Sequence, residues 1–202
     1  MLTQIGDILN WLAAGLFFPL MLLPLAGLSA KAPRRATKAL ASVFEGVARR
    51  VGRLAMWLVL LMALLQLSVV ILRYVFGVNF IFMQEGVTYL HGAVFLLAGG
   101  YALLTDDHVR VDIFYRGASP KKKALIDFLG TYFLLFPVCL LILWTASGYV
   151  GNSWAVREGS NEQSGVQAVF LLKSLIPAFA VLMAMAGFSI AAKAGETLRG
   201  EP

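Results

Sequence analysis

Long apolar runs separated by short polar stretches dominate the 202-residue chain. A helix needs about 20 mainly apolar residues to cross the roughly 30 Å hydrocarbon core of a bilayer. Five segments approach or exceed this length: Leu9–Ala30, Leu54–Phe76, Thr88–Leu104, Ala124–Val150 and Val166–Ala192. The period-two alternation of a membrane β-barrel is missing from them. The pattern predicts an all-α, polytopic integral membrane protein.

The predicted spans divide the chain into four parts. Residues 1–30 are either an extra N-terminal transmembrane helix or a secretory signal that is removed; the helix is favoured, because the only early charge is Asp7 and the basic n-region of a signal is missing. Residues 31–53 form a basic segment, and 54–192 form a four-helix domain with spans at about 54–76, 88–105, 124–150 and 166–192. Residues 193–202 form a tail.

The basic segment has two possible arrangements. Its apolar residues recur at helical spacing, which is typical of an amphipathic helix. Such a helix would lie on the membrane surface, or it would continue the 54–76 span as a helical extension. The pattern does not choose between them.

Composition and charge support a membrane location. The chain is 59% hydrophobic and 14% charged, whereas soluble domains are about half apolar and about a quarter charged. Of its 17 Lys and Arg residues, 14 lie before the second span, between the third and fourth spans, or after the fifth. Excess basic charge marks the cytoplasmic side, so we expect an outer N-terminus and a cytoplasmic C-terminus. The net charge of +6 therefore needs no nucleic-acid partner.

Polar residues inside the spans are few, and each needs a partner or access to the interface. Arg73 either extends to the membrane interface or pairs with Glu85 across the short connection that follows it. Lys173 either extends outward or pairs with Glu158 or Glu162. The third span is rich in Gly and Ala, which predicts close packing on more than one side.

The polar stretch "HVRVDIFYRGASPKKK", residues 108–123, separates the third and fourth spans. Its basic residues are explained by topology, and Ser119 is placed to cap the next helix. His108, Arg110 and Asp112 exceed what topology requires. We expect them to join the ends of helices through hydrogen bonds.

Evidence for chemistry is sparse. His91 and His108 are separated by 17 residues, about 25 Å along one helix, so they cannot ligate one haem between them. No hydrolase, nucleotide-binding or zinc-protease motif occurs, and the single cysteine, Cys139, excludes an intrachain disulfide. We expect no catalytic, cofactor, metal or substrate site in this chain.

The run from Arg73 to Tyr115 resembles the small membrane subunit, DctQ-type, of tripartite ATP-independent periplasmic (TRAP) transporters. The similarity covers about Leu54 to Ala192. Arg73 and Glu85 match an arginine and a glutamate at helix ends in that family, and "HVRVD" matches its H-x-R-x-D motif. The segment "LLKSLIP", which contains Lys173, looks like members grouped with carriers of hydroxy, oxo or aromatic acids.

This resemblance implies a noncatalytic subunit of a sodium-coupled importer of organic acids in the bacterial inner membrane. Its partners would be a large elevator-type permease subunit, a periplasmic substrate-binding protein and the lipid bilayer. The resemblance makes Arg73, Glu85, His108, Arg110, Asp112 and Lys173 candidates for structural or partner contacts. A membrane-anchor subunit of a redox complex, with His91 or His108 facing a partner's haem, is the alternative, and a stand-alone small transporter or channel is a third hypothesis.

Overall fold

Helices form the whole framework of the protein. The computed structural model describes residues 21–28, 32–108 and 115–200. Residues 21–28 are helical, and the longer elements are α1 (Ala32–Tyr74), α2 (Ile81–Leu104), α3 (Pro120–Gly130), a π-helix (Thr131–Leu135), α4 (Phe136–Ala155) and α5 (Val169–Arg199). The described ranges contain no β-strand. The all-α prediction is confirmed.

Within the described residues, four stretches are long and apolar enough to cross a membrane: Arg34–Tyr74, Ile81–Leu104, Pro120–Ala155 and Val169–Arg199. They correspond to the last four predicted spans, so the protein is a multi-pass membrane protein. The additional span predicted over Leu9–Ala30 lies mostly outside the described residues.

Helix α1 is one uninterrupted helix of 43 residues, about 65 Å long at the α-helical rise. The basic segment therefore continues the 54–76 span as a helix, which is the second of the two arrangements left open by the sequence. One stripe of mainly small buried residues keeps helical spacing along it: Thr37, Ala41, Ala48, Gly52 and Ala55. This continuous packing face explains why the helix does not break at the predicted boundary.

Helix α5 lies at the centre of the bundle and packs against the other four α-helices and the π-helix. Twelve of its residues between 180 and 195 are buried, and Ala180, Ala186 and Ala191 are completely inaccessible. Helix α2 packs against both α1 and α5, which also contact each other. A Cβ atom on Gly100 of α2 would lie 2.8 Å from the carbonyl oxygen of Leu182. The Gly- and Ala-rich sequence thus allows two backbones to touch, as small residues do in membrane helices.

Two helix ends differ from the predicted spans. Helix α2 begins at Ile81, seven residues before the predicted Thr88, because the carboxylate of Glu85 has hydrogen-bond partners and need not lie outside the helix. Helix α5 continues through the predicted tail to Arg199 and ends at Gly200, whose φ of 74° is left-handed. Glycine adopts this conformation without strain.

The fourth predicted span is built from α3, the π-helix and α4. Ser119 caps α3 as predicted, because its Oγ accepts a hydrogen bond from the Lys122 N–H at 3.4 Å. The π-helix ends two residues before Pro137. Proline has no N–H to donate to a helix, and a wider turn is a known way to accommodate such an interruption.

Candidate functional site at the Glu85 end of the bundle

The loop formed by residues 156–168 connects α4 to α5 and lies over the start of α2. Glu85 holds it there: the Ser160 hydroxyl donates to Glu85 Oε1 at 2.5 Å, and the Val166 N–H donates to Oε2 at 2.6 Å. The Tyr89 hydroxyl donates to the Val166 carbonyl at 3.3 Å. One carboxylate thus organises a loop more than 70 residues away in sequence, and its charge is met by hydrogen bonds as a partly buried carboxylate requires.

The loop approaches Glu85 closely because residue 165 is glycine. A Cβ atom on Gly165 would lie 2.5 Å from Glu85 Oε2 and 2.3 Å from Ser160 Oγ. Any side chain here would collide with the two groups that form the hydrogen bond. Gly165 is therefore part of the site, although no local pattern distinguishes it from the other glycines among the 19 in the chain.

Lys173 anchors the other side of the loop. Its Nζ lies 2.5 Å from Glu158 Oε2 and 3.9 Å from the centre of the Tyr149 ring. Its side chain is only 14% exposed, so the ammonium depends on these two partners. The hydrogen bond from Lys173 is the largest of the influences that lower the pKa of Glu158. The sequence offered Glu158 and Glu162 as partners, and the ion pair is with Glu158.

Trp154, in the last turn of α4, joins α4 to α5 next to the loop. Its indole N–H donates to Ser174 Oγ at 2.7 Å, and its ring packs edge-on against Phe170 with centroids 4.7 Å apart. Its position 20 residues from Ser174 could not be read from local spacing.

Arg73 takes no part in this arrangement. No ion pair joins Arg73 and Glu85, although both are described, so the hypothesis of a direct pair is wrong. The guanidinium carbon of Arg73 lies 6.0 Å from the centre of the neighbouring Tyr74 ring. Arg73 is one residue from the end of α1 and is exposed, so it reaches outward while the loop satisfies Glu85.

The opposite end of α2 contains the predicted H-x-R-x-D residues. His108 is exposed just beyond α2, whereas Arg110 and Asp112 lie outside the described residues. Beside them, the Tyr115 hydroxyl donates to Asp127 Oδ2 at 2.8 Å, and Lys123 Nζ lies 5.0 Å from the Tyr115 ring centre. This contact joins the connection to α3. Within the described ranges, no three His, Cys, Asp or Glu side chains are grouped as metal ligands.

A family model described as "Tripartite ATP-independent periplasmic transporters, DctQ component" matches residues 62–194. The chain belongs to this family. No curated protein and no solved structure matches it. The match includes Glu85, Lys173 and the 156–168 loop, so the site described above lies wholly within the part shared with other DctQ components.

This DctQ component also has a large part outside the matched range. Residues 21–28 and the first 30 residues of α1 precede residue 62. They are nevertheless packed into the same bundle: the Tyr132 hydroxyl donates to the Met21 carbonyl at 2.6 Å, and Arg199 Nη1 donates to the Gly27 carbonyl at 3.1 Å. The N-terminal part therefore extends the family's helical bundle.

Proposed function

We propose that the chain is the noncatalytic small permease subunit of a sodium-coupled, binding-protein-dependent importer of organic acids. The match to the DctQ component over residues 62–194 carries this proposal. The organic-acid class rests on the resemblance of the segment around Lys173 to carriers of hydroxy, oxo or aromatic acids. The protein lies in the bacterial inner membrane, with its N-terminus in the periplasm and its C-terminus in the cytoplasm. The distribution of basic residues supports this orientation.

The exposed surface of α2 supports the proposal that a large membrane subunit binds this chain. Three of the four exposed residues of α2, Thr88, His91 and Phe95, form one narrow stripe along the helix. His91 stacks on Phe95, with ring centroids 6.5 Å apart. It lies ten residues into the helix, about 15 Å from its start, near the middle of a membrane span. A polar side chain at this depth is costly against lipid and normally faces protein, so the large permease subunit covers this stripe.

The loop 156–168 supports the proposal of a second partner, the periplasmic substrate-binding protein. Glu85 of α2 and Lys173 of α5 hold it against two helices, while residues 161–164 at its tip are exposed. A loop that is fixed at its base and polar at its tip is well arranged to bind another protein, because little conformational entropy is lost when it binds. On the predicted periplasmic side, this loop helps to receive the substrate-binding protein.

Photo-cross-linking tests the partner assignment. Benzoylphenylalanine replaces Phe95, which is 71% exposed, or Phe133, which is 74% exposed on the π-helix and serves as the matched control. The tagged chain is isolated from its native cells in mild detergent. We expect a much larger polytopic protein to co-purify near one to one and to cross-link from position 95 but not from position 133.

The outcomes separate the two parts of the proposal. Absence of any large co-purifying subunit would contradict the transporter-subunit function. Co-purification without a cross-link from position 95, or with equal cross-links from both positions, would leave that function standing and remove the assignment of the α2 stripe.

A further inference from the structure

The N-terminal half of α1 has a basic outer face. Its small buried stripe, centred on Ala48, packs into the bundle. At 3.6 residues per turn, Arg50, Arg53 and Trp57 fall in one row on the opposite side of the helix. All three are exposed. The row is therefore directed away from the protein.

The positive charge of this row is not neutralised within the described part of the chain. Glu45 is the single acidic residue of α1, and it is occupied by Lys193 at 2.7 Å and Arg49 at 3.9 Å. No ion pair to a described residue reaches Arg50 or Arg53. Two guanidinium groups, one turn apart, thus have their planar donor sets available, and this geometry suits the oxygens of a phosphate.

The row also lies at the border between polar and apolar surface. Trp57 is 70% exposed, and the residues beyond it, including Leu60, Leu61 and Leu64, are exposed and apolar. Tryptophan prefers the level of the membrane–water interface. If Trp57 lies at that level, Arg53 and Arg50 lie about 6 and 10 Å further along the helix axis, toward the region of lipid headgroups.

We propose that Arg50, Arg53 and Trp57 form a binding site for the phosphate headgroup of an anionic phospholipid. The two arginines bind the phosphate, and the indole packs at the start of the acyl chains. The proposal does not depend on the transporter function. The proposal also requires more than membrane topology does. Topology needs only positive charge somewhere in a short connection, whereas this site needs two arginines and a tryptophan in one row on the helix.

Native mass spectrometry of the purified complex, stripped of lipid and titrated with phosphatidylglycerol or phosphatidylcholine, tests the site. The variant Arg50→Gln/Arg53→Gln is compared with Lys121→Gln/Lys122→Gln, which removes the same charge from two exposed lysines at the start of α3. We expect phosphatidylglycerol to bind at least about tenfold more weakly to the arginine variant, because hydrogen bonds to charged groups are lost. The lysine variant should bind it as the unaltered protein does.

Additional titrations with other ligands and another variant identify what the site binds. Phosphatidylcholine should bind equally to all three proteins, and millimolar inorganic phosphate should leave phosphatidylglycerol bound. Equal losses in both double variants, or no preference for the anionic lipid, would overturn the proposal. Displacement by inorganic phosphate would assign the site to free phosphate and would also overturn it. Arg50→Lys/Arg53→Lys keeps the charge, and an unchanged affinity in that variant would contradict the role of guanidinium geometry.

Discussion

The position of the 156–168 loop depends most directly on the carboxylate of Glu85. In Glu85→Gln, the amide retains the shape but has one acceptor oxygen and no charge, so it cannot accept from both Ser160 and Val166 as the carboxylate does. Loss of a hydrogen bond to a charged group costs about 2 kcal/mol, which corresponds to roughly thirty-fold faster exchange of the loop amides. Hydrogen–deuterium exchange over residues 158–168 measures this change.

Glu162→Gln is the matched control, because it removes the same charge from an exposed position in the same loop. Its exchange should equal that of the unaltered protein. Equal acceleration in both variants would mean that general loop charge, and not the contacts of Glu85, sets the position of the loop.

The ion pair between Lys173 and Glu158 predicts a particular dependence on pH. The pKa of Glu158 is lowered from 4.5, mainly by the hydrogen bond from Lys173. A carboxyl group with a lowered pKa in the folded state contributes its full stabilisation above the unfolded value and loses it as the pH falls through the folded value. The stability gap between the unaltered protein and Lys173→Met should therefore be constant from neutral pH to about 4.5 and narrow below it.

Thermal unfolding in detergent at a series of pH values measures this gap. Lys122→Met, which removes an exposed lysine outside any ion pair with the described residues, should give a gap that does not change with pH. A gap for Lys173→Met that widens on acidification would contradict the ion pair.

At the scale of helices, the sequence predicted which segments cross the membrane but not which residues touch. Hydrophobic run length is a local property, and the last four runs each correspond to a helix that is long and apolar enough to span. The partners of Glu85 lie 75 and 81 residues away, a separation that local spacing does not encode. The hypothesis that Arg73 pairs with Glu85 was wrong for this reason. It joined two residues that are close in sequence, whereas Glu85 binds a loop that is distant in sequence.

The contact between α2 and α5 gives a prediction about backbone packing. Gly100→Ala places a methyl group 2.8 Å from the Leu182 carbonyl oxygen, and a backbone atom cannot move aside as a flexible side chain does. Overpacking of this kind costs about 1–3 kcal/mol. Gly148→Ala is the control, because its Cβ would meet nothing within 4 Å, and alanine favours a helix by about 1 kcal/mol over glycine.

Thermal unfolding of the two variants measures the difference. The midpoint should fall for Gly100→Ala and stay the same or rise for Gly148→Ala. A similar change in both would show that helix propensity, and not the approach of α2 to α5, dominates at these positions.

At the scale of the whole molecule, charged residues join the N-terminal extension of α1 to the end of α5. Lys193 lies 2.7 Å from Glu45, and Lys38 lies 3.2 Å from Glu196. Near these pairs, the Ser189 hydroxyl donates to the Ala41 carbonyl at 3.2 Å. Most of this contact lies outside the four predicted spans, which explains why α5 continues to Arg199 as a helix where the sequence predicted a tail.

Exchange of the two charges tests whether this contact specifies the arrangement of the extension. Glu45→Lys places a third cation beside Lys193 and Arg49, so we expect it to destabilise the bundle. Glu45→Lys/Lys193→Glu restores opposite charges and should recover about 1 kcal/mol in a double-mutant cycle, the upper range for a pair with one well-exposed partner. Glu45→Lys/Lys121→Glu has the same composition without the contact and should show no coupling. If the two double variants are equally stable, the extension is held by its small apolar stripe alone, and the charges serve only to set topology.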